Sequence, residues 1–194
     1  MSDFWFYFQE GMHHILGAAA MDHQLFITVL SIIYTWRDWR QVLVLVTAFT
    51  IGHSVTLALS VLDIVRLDSG WVEFLIPCTI LITAIFNYSI KDFNLHTLRV
   101  NYFLAMGFGL IHGMGFANNI RLMLASDQGI VTGLLGFNTG LEVGQIWVVT
   151  IILTVTKFCT ERLGVSRKYW VWLISGIAGL LAIQMMITRI PGVH

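Results

Sequence analysis

Six ionisable side chains stand in stretches that are otherwise too apolar to hold them: His14, Asp22, His23, His53, His112 and Glu142. Imidazole nitrogen is a good donor to zinc, copper, iron and nickel, and a carboxylate adds charge. The two acids have no Lys or Arg partner within the apolar stretches. A charge buried in a bilayer costs roughly 2.5–3.5 kcal/mol on insertion scales. Asp22 and Glu142 must therefore be protonated, face water, bond to polar groups or histidine, or face a cation. A divalent ion held by these imidazoles and carboxylates offsets that cost. Metal binding alone does not separate transport from catalysis. A catalytic zinc site keeps about three protein ligands and an open water position, whereas a permease needs ligands that release the ion.

The elements that position these groups follow from composition. The chain of 194 residues is 57% hydrophobic and 11% charged, with a mean hydropathy of +0.78. Soluble domains are usually about 25% charged, so this surface has too few charges to face water. Runs of about 20 apolar residues can cross a bilayer, and the run Gln41–Leu62 contains no Asp, Glu, Lys or Arg at all. The expected fold class is all-α, a polytopic transmembrane helical bundle. Six spans are expected at about 19–36, 41–62, 72–90, 101–119, 130–156 and 169–188. Residues 1–18 form an N-terminal interfacial segment, with 4–16 as an interfacial or seventh helix, because Trp5, Tyr7 and several Phe favour the headgroup boundary. The N-terminus lacks the basic region of a signal peptide. Short connections make residues 1–194 a single transmembrane domain. Zero net charge and scattered basic residues give no sign of nucleic-acid binding. Cys78 and Cys159 form no disulfide or CxxC framework and read as packing residues.

Orientation follows from the basic residues. Arg37, Arg40, Lys91, Arg99, Lys157, Arg162, Arg167 and Lys168 fall on one side, and Arg66, Arg121 and Arg189 on the other. The first set belongs in the cytoplasm, so residues 1–18 and the C-terminus face outward. Counting depth from the span ends then places the six ionisable groups in one outer-to-middle layer, although they come from several spans.

Their neighbours fit this layer. Asn138, Glu142 and Gln145 recur at i, i+4 and i+7, on one helix face. Gly136, Gly140 and Gly144, and separately Gly109 and Gly113, have the small-xxx-small spacing that lets backbones approach closely. Thr47, Thr50 and Ser54 follow the stripe next to His53. Ser54, Asn138 and Gln145 are therefore expected to support the site from just outside it. A lone membrane histidine is often merely hydrogen-bonded across a helix interface. Six such groups in one layer, two of them unpaired acids, point to a function. His13, His96 and His194 are set aside as non-ligands. Asp63, Asp68 and Glu73 read as solvated loop residues, and Asn118 and Asn119 as the end of a span.

The blocks "GMHHIL" and "MDHQLF" at 11–26, "TAFTIGHSVTLALS" at 47–60, "WVEFLIP" at 71–77, "FGLIHGMGFAN" at 108–118 and "FNTGLEVGQ" at 137–145 together resemble the HupE/UreJ family of bacterial integral membrane proteins. The similarity is to the short form without an attached extracellular domain. It implies six or seven spans in the bacterial cytoplasmic (inner) membrane, and a nickel or cobalt permease linked to hydrogenase and urease maturation. By motif position it also implies His14, Asp22, His23, His53, His112 and Glu142 as the functional set. The leading expectation is uptake of a divalent metal ion, nickel or cobalt in type, from the outer face, with a lipid bilayer as the surroundings and room for a homo-oligomer. The alternative is a membrane-embedded zinc-dependent hydrolase or transferase near the outer leaflet, with Asp22 or Glu142 as general base and Ser54 as a further catalytic group. A third reading makes the protein a non-catalytic assembly factor whose polar layer serves packing.

Overall fold

The computed structural model describes residues 3–66, 68–90, 98–124 and 129–192, and within these the side chains other than those of 19, 98–101 and 117–124. Expectations for Lys91, His96 and His194, and for the side chains of Arg99, Asn118, Asn119 and Arg121, lie outside the described residues.

The described chain is all helical. Its seven α-helices are α1 (Asp3–Leu16), α2 (Met21–Ser31), α3 (Trp39–Val61), α4 (Ser69–Ser89), α5 (Leu98–Leu124), α6 (Ile130–Lys157) and α7 (Arg167–Thr188). Four stretches of the described chain are long and apolar enough to cross a membrane: Trp36–Val61, Ser69–Ser89, Ile130–Arg162 and Arg167–Thr188. Large apolar side chains such as Val131, Leu173 and Leu180 face outward, which suits lipid rather than water. The protein is a membrane protein.

Local chemistry sets the helix ends. α1 carries Asp3 in its first turn, a sign matched to the helix dipole, and His13 and His14 in its last. It stops at Gly17, which is extended. Gln24 Nε2 then donates to the Ile15 and Gly17 carbonyls at 2.9 and 3.1 Å, satisfying acceptors the helix end leaves open. After one 3-10 turn at Ala18–Ala20, α2 begins. Thr35 and Asp38 form a reciprocal capping box that starts the chain into α3. Asp68 caps α4 by accepting from the Trp71 amide, and Asp63 pairs with Arg66. These two acids are thus engaged locally rather than simply solvated.

Two helix pairs run parallel and very close. Phe4, Phe8 and Met12 of α1 meet Gly136, Gly140 and Gly144 of α6 in step, with Ile15 also against Gly144. A Cβ on Gly140 would overlap the Phe8 carbonyl oxygen, and one on Gly109 of α5 would overlap the Phe49 carbonyl oxygen of α3. Contacts that advance in register over three turns require nearly parallel axes. The N-terminal helix is therefore a member of the bundle, as the seventh-helix alternative for 4–16 has it. The stretch 19–36, expected as the first span, is not one continuous helix. Its helical part is the eleven-residue α2, set off from α1 by the break at Gly17–Ala20.

α2 runs antiparallel to α7. Asp22 faces Arg189 at one end, and Arg167 donates to the Ile33 carbonyl at the other. Between them Asn87 of α4 donates to the Val29 carbonyl at 2.8 Å and to Ser175 of α7 at 3.0 Å. The core around α2 is dense, with Phe26, Phe49, Phe137 and Leu141 all buried.

Candidate metal centre

α1, α2, α3 and α5 each contribute one histidine to the same small volume. His14 closes the last turn of α1, and the break after it turns the chain so that His23, early in α2, comes back beside it. Their ring centroids are 4.6 Å apart. His53 lies 5.8 Å from His14 and 6.2 Å from His23, and His112 lies 4.9 Å from His23. The close α3–α5 approach at Gly109 and Gly113 brings the last two rings in. His53 and His112 are fully buried, and His23 is 5% exposed.

The hydrogen bonds of these rings are distinctive. Nδ1 of His23 bonds Asp22 Oδ1 at 2.9 Å, and Nδ1 of His112 bonds the Phe108 carbonyl oxygen at 2.9 Å. Both acceptors hold the proton on Nδ1 and leave Nε2 with a free lone pair, the arrangement found behind metal-bound histidines. Nε2 of His14, His23, His53 and His112 all lack a partner, as does Nδ1 of His53. A buried polar atom left unpaired costs about 1–3 kcal/mol, so a cluster of them calls for an explanation. One ligating nitrogen from each of His14, His23 and His53 lies within 4.8 Å of the others, close enough to share one ion. The donor set fits a transition metal with an imidazole preference. The cluster opens on a cavity of about 360 Å³ lined by His13, His14, Asp22, His23, Glu73, His112 and Arg189, among others.

The remaining expected site residues are placed differently. Asp22 sits beside the cluster but is not one of its clustered donors. Its Oδ1 also accepts from the His23 amide at 2.8 Å, and its Oδ2 lies 3.4 Å from Arg189 Nη1. The basic partner of Asp22 thus comes from just past the last apolar stretch, at the cap of α7, rather than from within a span. Glu142 also lies outside the clustered donors, and accepts from Thr47 Oγ1 at 2.7 Å. Gln145, one turn along α6, accepts from Thr50 Oγ1 at 2.9 Å and keeps a buried Nε2 without a partner. Asn138 Oδ1 is likewise buried without one. Ser54 donates to the Thr50 carbonyl at 2.7 Å, so its proton is committed to its own helix rather than to His53.

Arg189, His13 and Glu73 are the cavity residues that sequence reasoning passed over. Arg189 reads there only as an orienting charge past the last span. Its partner stands 167 positions away, and no local pattern links the two. Glu73 falls in the first turns of α4, where an acid ordinarily serves the helix dipole.

At the other end of the bundle is a larger cleft of about 640 Å³, whose lining includes Arg37, Asp38, Lys157, Glu161 and Arg167. Val149 and Leu153, both buried, follow Gln145 along α6, and Leu153 lines this cleft.

Comparison with known proteins agrees with the sequence blocks quoted above. The family model described as HupE / UreJ protein matches residues 1–189. Searches of curated proteins and of solved structures returned no match. A match over nearly the whole length carries the assignment, and the chain belongs to the HupE/UreJ family.

Proposed function

We propose that the protein is a permease for a divalent transition-metal ion of the nickel or cobalt type, in the bacterial cytoplasmic membrane. The observation that carries this reading is the convergence of His14, His23 and His53, with His112 beside them, each offering an unpartnered Nε2. The site lies within a single transmembrane domain, and α1, α2, α3 and α5 supply its histidines. The cavity at the histidines faces outward together with the C-terminus, and the charged cleft faces the cytoplasm, as the basic residues at that end favour.

Transport is supported by the two cavities at opposite ends of the bundle and by the polar pairs beneath the histidines. Thr47–Glu142 and Thr50–Gln145 would be the next oxygen donors for an ion leaving the cluster inward. The apolar side chains of Val149 and Leu153 would close the inner route while the outer cavity is open. This is an outward-facing arrangement in an alternating-access cycle.

One observation favours a second reading. Three imidazoles with an adjoining cavity roomy enough for water and substrate match the ligand count of a catalytic zinc centre, and such a centre would serve a hydrolase at the outer leaflet. The Ser54 hydroxyl and the doubly engaged Asp22 are committed elsewhere, so metal-bound water and the cavity carboxylate of Glu73 would have to serve as nucleophile and base. Reconstitution separates the two readings. Proteoliposomes are expected to accumulate Ni²⁺ or Co²⁺, and His53→Ala proteoliposomes are not. Stoichiometric zinc binding with no ion flux would favour the hydrolase.

A further inference from the structure

Asp22 stands next to three or four imidazoles, yet its oxygens are directed elsewhere. Oδ1 takes the His23 ring N–H and the His23 amide, and Oδ2 is held toward the Arg189 guanidinium. The carboxylate is thereby engaged on the Nδ1 side of His23, behind the ring. The clustered donors left for an ion are imidazole nitrogens. This matters for the choice of metal. Imidazole selects zinc, copper, iron and nickel, whereas carboxylate oxygen suits magnesium, calcium and manganese. A site whose adjoining carboxylates, Asp22 and Glu73, both stay outside the clustered donors discriminates against hard cations.

The residue that keeps Asp22 out comes from a helix with no other part in the cluster. Arg189 is the C-terminal cap of α7, and its side chain is 29% exposed while Asp22 is 13% exposed. It also lines the outer cavity. With Arg189 gone, Oδ2 has no partner, and rotation about the carboxylate would offer it to the cavity and the ion.

We propose that Arg189 is a specificity-determining residue of the metal site, holding Asp22 as a support for His23 and preventing it from becoming a hard-metal ligand. This inference rests on the metal-site reading of the histidine cluster.

The test measures Kd for Ni²⁺ and for Mn²⁺ on the full-length protein in detergent. The wild type, Arg189→Met, Arg189→Lys and the double variant Arg189→Met/Asp22→Asn are compared. Arg189→Met is expected to move the Kd ratio toward Mn²⁺ by about tenfold or more, in line with the 10–100-fold weight of outer ligand supports. Arg189→Lys, which keeps the charge, is expected to stay within about threefold of the wild type. The double variant is expected to lose the Mn²⁺ gain, since an amide cannot replace the carboxylate as a hard ligand. An unchanged ratio in Arg189→Met overturns the proposal, as does a gain that survives in the double variant. A wild type that binds neither ion overturns the metal-site reading itself. A wild type that binds nickel with Arg189 variants of unchanged preference overturns only the role of Arg189.

Discussion

His23 and Asp22 are consecutive residues on α2, and their side chains still meet, with Nδ1 of the ring 2.9 Å from Oδ1 of the carboxylate. The carboxylate fixes the tautomer in which Nε2 carries the lone pair. Replacement of Asp22 by Asn keeps an acceptor but removes the charge. Affinity for Ni²⁺ or Zn²⁺ is expected to fall about 10–100-fold, with little loss of thermal stability. Isothermal titration on the purified variant checks this. An affinity within twofold of the wild type would show that Asp22 has no bearing on the ring.

His112 carries the same preparation through a different acceptor, the Phe108 carbonyl one turn back. Its ring adjoins His23, but only His14, His23 and His53 have ligating atoms mutually within 4.8 Å. A small inward shift on binding would make it the fourth nitrogen. X-ray absorption on the nickel-loaded protein is expected to show four imidazole nitrogens, reduced to three in His112→Gln. The same spectrum for both proteins would leave His112 as a wall of the site.

Glu142 separates binding from movement. It is hydrogen-bonded to Thr47 and lies apart from the clustered imidazoles. Glu142→Gln is therefore expected to retain stoichiometric metal in detergent while losing most flux in proteoliposomes. Loss of metal from the detergent-purified variant would instead make Glu142 a ligand.

Gly140 links the packing to the site. Any side chain there must displace α1, because the Phe8 carbonyl occupies the place of a Cβ. Gly140→Val is expected to cost about 1–3 kcal/mol, the usual penalty of overpacking, and to lower metal occupancy because α1 carries His14. A melting curve and a metal assay on the same sample check both effects. Full occupancy in a destabilised variant would disconnect α1 from the ligand set.

Much of this architecture is legible in the residues alone, for stated reasons. The run Gln41–Leu62 appears as α3, and 130–156 as α6, because uninterrupted apolar length is what a bilayer demands. The glycines at 136, 140 and 144 mark a close approach, though nothing local names α1 as the partner. The break at Gly17–Ala20 is hidden because alanine favours helix, and only Gln24, bonding back to Ile15 and Gly17, makes the interruption stable. The histidines share a layer because span ends fix depth along the membrane normal. Depth does not fix rotation about a helix axis, which decides who touches whom. Depth alone therefore treats Glu142 and His53 alike and leaves the pairing of Asp22 with Arg189 unmarked.

The most direct measurement is the metal content of the detergent-purified protein by mass spectrometry, beside a His53→Ala/His112→Ala double variant of matched fold. About one nickel, cobalt or zinc ion per chain after loading is expected in the wild type, and a loss of most of it in the double variant. Equal metal in both proteins, or none in either after loading, would contradict the site and leave the buried imidazoles to packing.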